Sequence, residues 1–258
     1  MDLIVVKENT KRLSLKGYDA VLPRINIMGG LEDRLDVIKV LEGKRMPILN
    51  TYASVILAKD KILTYKALNK HKVPQPKTSV IKASKNLSAA AKHAKGYPLI
   101  LKHPCGSYGH GVILAESERS ARSVVDHLCC PWGGLQEVLV QEFIEEAKNA
   151  DLRLFVVRGK VIASMRRTAQ KGEFRSNVEL GGSTMEWAPT SEQVKIALGA
   201  AKALGLDVAG VDILESKSGS LVIEVNANPG FHSLEKTTGV NVAGLMVEAL
   251  VEKSLQSR

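Results

Sequence analysis

Aromatic side chains are scarce in this chain: two Trp, five Tyr and four Phe, 4% of 258 residues. Readers of single-stranded nucleic acid stack bases on aromatic faces set among basic residues, and no such stripe is present. Cysteine is scarce too. Cys105, Cys129 and Cys130 are odd in number and two are adjacent. They offer neither a disulfide framework nor paired zinc spacing, and they point to a reducing, cytoplasmic setting. No apolar run approaches the roughly 18 residues of a membrane helix, and Leu3–Val6 is too short for a signal peptide. Internal repeats and low-complexity segments are absent. Acidic residues also run short. Against 36 Lys and Arg stand 27 Asp and Glu, a formal net charge of +9. That surplus suits anionic partners such as nucleotides or acidic peptides; a solvated basic surface is the plainer reading.

What remains is ordinary for a soluble globular protein, with 45% hydrophobic and 24% charged residues. The length allows one large domain or two modest ones. Strands are predicted at Leu3–Val6, Ala20–Leu22, Lys77–Val80, Pro98–Lys102, Val112–Ala115, Val138–Glu142, Leu152–Val157, Lys160–Met165, Val208–Leu214 and Leu221–Asn226. Helices are predicted over Leu31–Leu41, Lys59–Lys72, Leu87–Ala94, Ser117–Leu128 and Ser191–Leu204, with a last one capped by Asn241. Thr190 and Gln193 form a capping-box pattern. Val194, Ala197, Leu198, Ala201 and Leu204 are the expected apolar face of that helix, and Val242, Leu245, Met246 and Ala249 that of the last. "PWGG" at Pro131–Gly134 reads as a boundary. The mixture indicates an α/β or α+β layered fold.

The run "LVIEVNANPGF" carries Glu224 and Asn226 two residues apart at the end of a strand, hence on one side. If the preceding turn "ESKSGSL" is centred near Ser218, Asp212 faces Glu224 across a hairpin. Val211, Ile213, Ile223 and Val225 then take the opposite, apolar face. Adjacent carboxylates repel unless protonated or bridged by a cation. An oxygen-only set suits Mg2+ or Mn2+, and Mg2+ takes few carboxylates beside water and phosphate. A solvent-facing polar strand end is the plainer alternative. Lys102 precedes the glycine-rich "HPCGSYGHG", whose Gly106, Gly109 and Gly111 allow a loop to close over phosphates. The spacing is not that of a Walker A loop. Arg153, Arg166, Arg167 and Arg175 are further cations, for which surface salt bridges are the plainer reading.

Taken together, "AKDK", "LILKHPCGSYGHGV", "LVQEFIEEAKNADLR", "MRRTAQKGEFRSNVELGG", "LDVAGVDIL" and "EVNANPGFHSLEKTTGVNVAG" resemble the ATP-grasp superfamily, and closely its RimK-type carboxylate–amine ligases. The resemblance runs from about Asp19 to Met246. It implies an ATP-grasp fold of two α/β lobes with the nucleotide between them, ATP and Mg2+ (or Mn2+) as cofactors, and an amide formed through an acylphosphate. It implies a shortened pre-grasp region at 1–58, a central lobe at 59–136 and a C-terminal lobe at 137–258. By resemblance, Lys61, Lys102 and the flap Gly106, Ser107, Gly109 and Gly111 meet the phosphates. Glu142 and Phe143 lie at the adenine and Asp151 at the ribose. Arg175, Ser176 and Asn177 lie by the transferred phosphate, and Arg153 and Arg167 hold substrate oxygens. Asp212, Glu224 and Asn226 hold the metal. The amino-acid substrate is expected to be glutamate, and the acceptor a protein C-terminus or a small molecule. A regulatory nucleotide-binding module without ligase activity is the alternative. Relatives of this type carry an additional N-terminal βαβ unit; its apparent loss puts acceptor identity in question, and an open sheet edge invites a homo-oligomer.

Overall fold

Asp60 opens the helix expected at Lys59–Lys72 and closes a preceding one, Tyr52–Lys59, that was not expected. Its backbone is extended, and its carboxylate accepts from the N–H groups of Ile62 at 2.7 Å and Leu63 at 3.1 Å. A capping carboxylate satisfies the orphan donors of a first turn, so α2 (Tyr52–Lys59) ends where α3 (Lys61–Lys70) begins. The computed structural model describes residues 17–24, 31–106, 109–129 and 137–256. The expected strand Leu3–Val6 and the "PWGG" boundary lie outside them. Upstream, α1 (Leu31–Gly43) runs slightly past its expected end. Leu35, Ile38, Leu41, Ile48 and Val55 form a small core there. Among the described residues Ala20–Leu22 makes one parallel bridge, Val21 to Ile48, and Pro23 and Pro47 supply no N–H to continue that ladder.

Two antiparallel sheets come next, making the fold α+β. The first has the order β1-β4-β2-β3, with β1 Thr78–Ile81, β2 Leu99–Lys102, β3 Val112–Ala115 and β4 Val138–Glu142. Helices α4 (Leu87–His93) and α5 (Glu118–Leu128) cover it, burying Leu87, Ala90, Ala121 and Val125 against Ile81, Leu99, Leu101 and Val140. Because β4 pairs with β1 and β2, the chain leaves this sheet only after Glu142, later than the expected boundary at 136.

The second sheet has the order β7-β6-β5-β8-β9: β5 Ala150–Val157, β6 Lys160–Thr168, β7 Ser183–Glu186, β8 Val208–Ser216 and β9 Gly219–Asn226. Helix α6 (Ser191–Ala203) carries the expected capping box of Thr190 and Gln193. Its buried stripe is Gln193, Ile196, Ala197, Ala200 and Ala201, so Val194 and Leu198 are only half-buried. On the other face lie α7 (His232–Thr238) and α8 (Val242–Gln256), with Leu234, Val242, Met246 and Ala249 packed on Phe155, Val157 and Met165. Leu245 of α8 is half-buried rather than inward.

Strand periodicity positions the site. Leu152, Leu154 and Val156 of β5 face the α6 core. The alternate set is Asp151, Arg153, Phe155 and Val157, apolar beneath α8 and charged beyond its cover. Strands β5 and β6 extend further at these charged ends than the sequence suggests, because cross-strand partners neutralise the charges.

Asn50 fastens the other end of the site-bearing hairpin. It is buried, donates to the carbonyls of Val208 at 2.7 Å and Ala227 at 2.8 Å, and accepts from the Val208 N–H at 2.8 Å. Asn50→Ala removes a partner from two buried groups of Val208 and the half-buried carbonyl of Ala227, and should cost about 2–4 kcal/mol. Urea denaturation should show a lowered midpoint with an unchanged slope; a midpoint within error of the parent would contradict the assignment.

Candidate active site

The turn between β8 and β9 is tighter than a centre at Ser218 requires. Ser216 pairs with Gly219 and Ile213 with Val222, and a bulge then shifts the register so that Asp212 faces Glu224. The expected cross-strand pair is present, but the bulge supplies the offset that the turn does not. Bulges re-aim side chains beside many active sites. Here Val222 takes the core position expected of Ile223, and Ile223 turns instead to line a cavity with Glu224. Val211, Ile213 and Val225 are buried in the core as expected.

Charges alternate across the sheet from this hairpin. Arg153 on β5 faces Asp212 on β8 and closes on both its oxygens, Nε to Oδ1 and Nη2 to Oδ2 at 2.8 Å. Arg167 on β6 faces Asp151 on β5 and donates to it twice, at 2.7 and 2.6 Å. Arg167 Nη2 also reaches Asp212 Oδ2 at 3.0 Å. All four side chains are buried. Burial disfavours the charged form of Asp212, but Arg153 and Arg167 outweigh it and hold the carboxyl below its ordinary pKa. Burial likewise opposes the charge on Arg167, and Asp212 and Asp151 outweigh it upward. The repulsion expected between Asp212 and Glu224 is therefore relieved inside the protein: Asp212 by two guanidiniums, Glu224 by Lys61 Nζ at 3.3 Å. Arg166 points elsewhere, pairing with Glu215 at 3.0 Å over Trp187, which is the plain salt bridge.

Cations also clasp the glycine loop. Lys61 Nζ donates to the Gly106 carbonyl at 2.6 Å, and Arg175 Nη1 to the Gly109 carbonyl at 3.0 Å. At Gly109, φ is +77° and a Cβ would lie 2.9 Å from Asn177 Oδ1, so a side chain has no room there. Gly111 closes the loop, its carbonyl accepting from His103 N at 2.8 Å. Ser107 lies outside the described residues. Arg175 also forks onto Glu173, whose carboxyl it holds down to about 2. Lys102, buried at the end of β2, has its ammonium lowered to about 8: burial dominates, and Glu224 and Asp212 offset it only in part.

Two connected spaces open here. A cavity of about 110 Å³ is walled by Ile100, Val112, Phe143, Ile144, Leu214 and Ile223, with Lys102, Asp151 and Asp212 at its polar side. Ser176, Arg175 and Gly109 also line it. The Glu142 carboxylate is engaged by Lys95 at 2.6 Å and the Lys77 N–H at 3.3 Å, and its own N–H donates to the Lys77 carbonyl at 2.9 Å. A wider cleft of about 580 Å³ is lined by Arg153, Asn226, Gly106, Lys59, Arg24 and His232. Lys61, Arg167, Asn177 and Glu224 border both. Sequence reasoning passed over Lys59, Arg24 and His232. The signal for Lys59 was its spacing of two from Lys61; Arg24 and His232 carried none. Among the described residues no three His, Cys, Asp or Glu side chains form a metal cluster. Asp212, Glu224 and Asn226 fit a hard divalent ion only together with further anionic oxygens, as phosphates supply.

Similarity to known proteins runs along most of the chain. A family model described as a RimK-like ATP-grasp domain matches residues 58–250. A probable alpha-L-glutamate ligase of Mannheimia succiniciproducens is 43% identical over 93% of this chain and 78% of its own length. One from Methanococcoides burtonii is 38% identical over 93% of this chain and 78% of its own. Among solved structures, a RimK domain ATP-grasp protein from Sphaerobacter thermophilus has a TM-score of 0.71 at 25% identity, covering 92% of this chain and 83% of that one. A D-alanine–D-alanine ligase from Bacillus anthracis has 0.72 at 21% identity, over 93% and 81%, a likeness of fold.

Lys102 sets a pH dependence in the absence of ligands. Its folded pKa of about 8 lies below the ordinary 10.5, so the unfolded chain binds more protons between those values and stability rises across that window. Lys102→Met should flatten the rise, measured by urea denaturation at pH 8 and pH 10. A midpoint that changes equally with pH in the parent and in the variant would contradict the buried ammonium.

Proposed function

The chain belongs to the RimK-like ATP-grasp family, and from that premise we propose that it is an ATP-dependent carboxylate–amine ligase whose amino-acid substrate is L-glutamate. Its acceptor in this reading is a carboxylate at a protein C-terminus or on a small molecule, suited to a cleft bordered by Arg24, Lys59, Arg153 and Arg167. The observation that carries the proposal is the Asp212–Glu224 cross-strand pair, opening beside Lys61 and Lys102 onto a cavity with apolar walls.

The residues divide the work. Ile100, Val112 and Ile144 with Phe143 hold the adenine, and the Glu142 backbone lines its edge. Asp151 lies toward the ribose, anchored by Arg167. Lys61 and Lys102 take the phosphates, so Lys61 exchanges the Gly106 carbonyl for phosphate oxygen. Gly106, Gly109 and Gly111 let the loop close and exclude water, which would hydrolyse an acylphosphate. Arg175, Ser176 and Asn177 steady the phosphoryl group in flight, and Arg153 and Arg167 hold substrate oxygens. A divalent ion on Asp212, Glu224 and Asn226, Mg2+ or Mn2+, supplies charge neutralisation to the phosphates. Residues 1–58 precede the grasp, and the two sheets form its two lobes. A regulatory module without ligase activity is not favoured, since the relatives bear ligase names and Lys102, Asp212, Glu224 and Asn226 are all present.

Phosphate release should appear with ATP, Mg2+, L-glutamate and the right acceptor from a panel, and mass spectrometry should find the acceptor heavier by one or more glutamate residues. Glu224→Ala should lower turnover by at least about 100-fold with an unchanged melting temperature. Full turnover in that variant would overturn the site.

A further inference from the structure

Arg153 and Arg167 both neutralise Asp212, yet they are not equivalent. Arg167 has a bidentate partner of its own in Asp151 and keeps it whatever Asp212 does. Among the described residues, Asp212 is the one carboxylate that pairs with Arg153. The two ends of that pair also face different spaces. Asp212 lines the smaller cavity, and Arg153 lines the wider cleft. Gly210 packs against Arg153, and a Cβ there would come within 3.3 Å of Arg153 Cδ and 3.4 Å of Nη1. Gly210 in turn faces Asn226 across the hairpin, on the cleft side.

Charge limits how a metal can enter. A carboxylate has about four lone-pair positions, and three of those on Asp212 are occupied by the two guanidiniums. Seven Lys and Arg side chains line the cavity and cleft together, against five Asp and Glu. A bare dication entering this set meets repulsion, and Arg153 set free in a buried site needs a new anion. We infer that Arg153 is an exchangeable counter-ion: it neutralises Asp212 in the free protein and passes to the acceptor's carboxylate when Asp212 takes up a divalent ion with nucleotide. This rests on the ligase reading and adds an order to it. Nucleotide and metal load first, and loading creates the cation that receives the acceptor. By linkage the acceptor tightens nucleotide binding by the same factor, about tenfold within the usual range of such couplings.

The test follows the Arg153 Nε–H by NMR in the wild-type protein, its resonance assigned by its loss in Arg153→Lys. AMPPNP with Mg2+ should speed its hydrogen exchange at least tenfold, while AMPPNP without Mg2+ leaves it protected. Calorimetry on the same samples reports whether the nucleotide binds. Nucleotide binding with an Nε–H still protected overturns the exchange and leaves the ligase reading standing. No nucleotide binding overturns both. In a second arm, electron paramagnetic resonance measures free Mn2+ binding without nucleotide. Arg153→Gln should bind it at least tenfold more tightly than the parent, and equal or weaker binding contradicts the proposal. A melting curve establishes that the variant is folded; if it is not, the wild-type NMR result decides.

Discussion

The buried contact between Arg153 and Asp212 organises the rest of this molecule. It joins β5 to β8 at the point where their apolar faces run out from beneath α8. A carboxylate without this partner, in so dry a place, would take up a proton or draw in water. With it, the sheet keeps its regular register to the lip of the cleft and Arg167 finds a place between two acids. Such buried pairs are weak sources of stability, because desolvation consumes most of the attraction. Their retention in an otherwise apolar sheet makes sense as stored charge, held in place until ligands need it.

The same economy recurs at the glycine loop. Lys61 and Arg175 hold its carbonyls from the two sides of the cleft, one from the start of α3 and one from the segment after β6. Lys61 reaches Glu224 as well, so the loop, the first lobe and the hairpin meet at one ammonium. Polyanionic ligands compete for all of these cations at once. In the proposed function a polyanion that takes these cations releases the loop carbonyls as it binds, with Asn50 keeping the hairpin beneath them in register.

Much of this was legible in the residues. Strand periodicity placed Glu224 and Asn226 together, and capping chemistry placed α6. The family pattern grouped Lys61, Lys102, Asp212 and Glu224, and all four line connected spaces. What was not legible had a physical cause in each case. The bulge that swaps Ile223 for Val222 leaves no mark in an alternating pattern of apolar residues. The partners of Arg153 and Arg167 lie on other strands, and pairing across a sheet cannot be read from one strand at a time. Arg24 and Asn50 act through contacts some 200 and 160 residues away in sequence, beyond the reach of local spacing. Helix α2 went unread, and Asp60, which caps α3, is equally at home within a charged helix face.

A crystal structure with AMPPNP and Mg2+ bound tests the central claim most directly. The account predicts the adenine against Phe143 and Ile144, phosphate oxygens at Lys61 and Lys102, and the cation on Asp212 and Glu224. Nucleotide bound outside this cavity, or a cation seated away from both carboxylates, would contradict it.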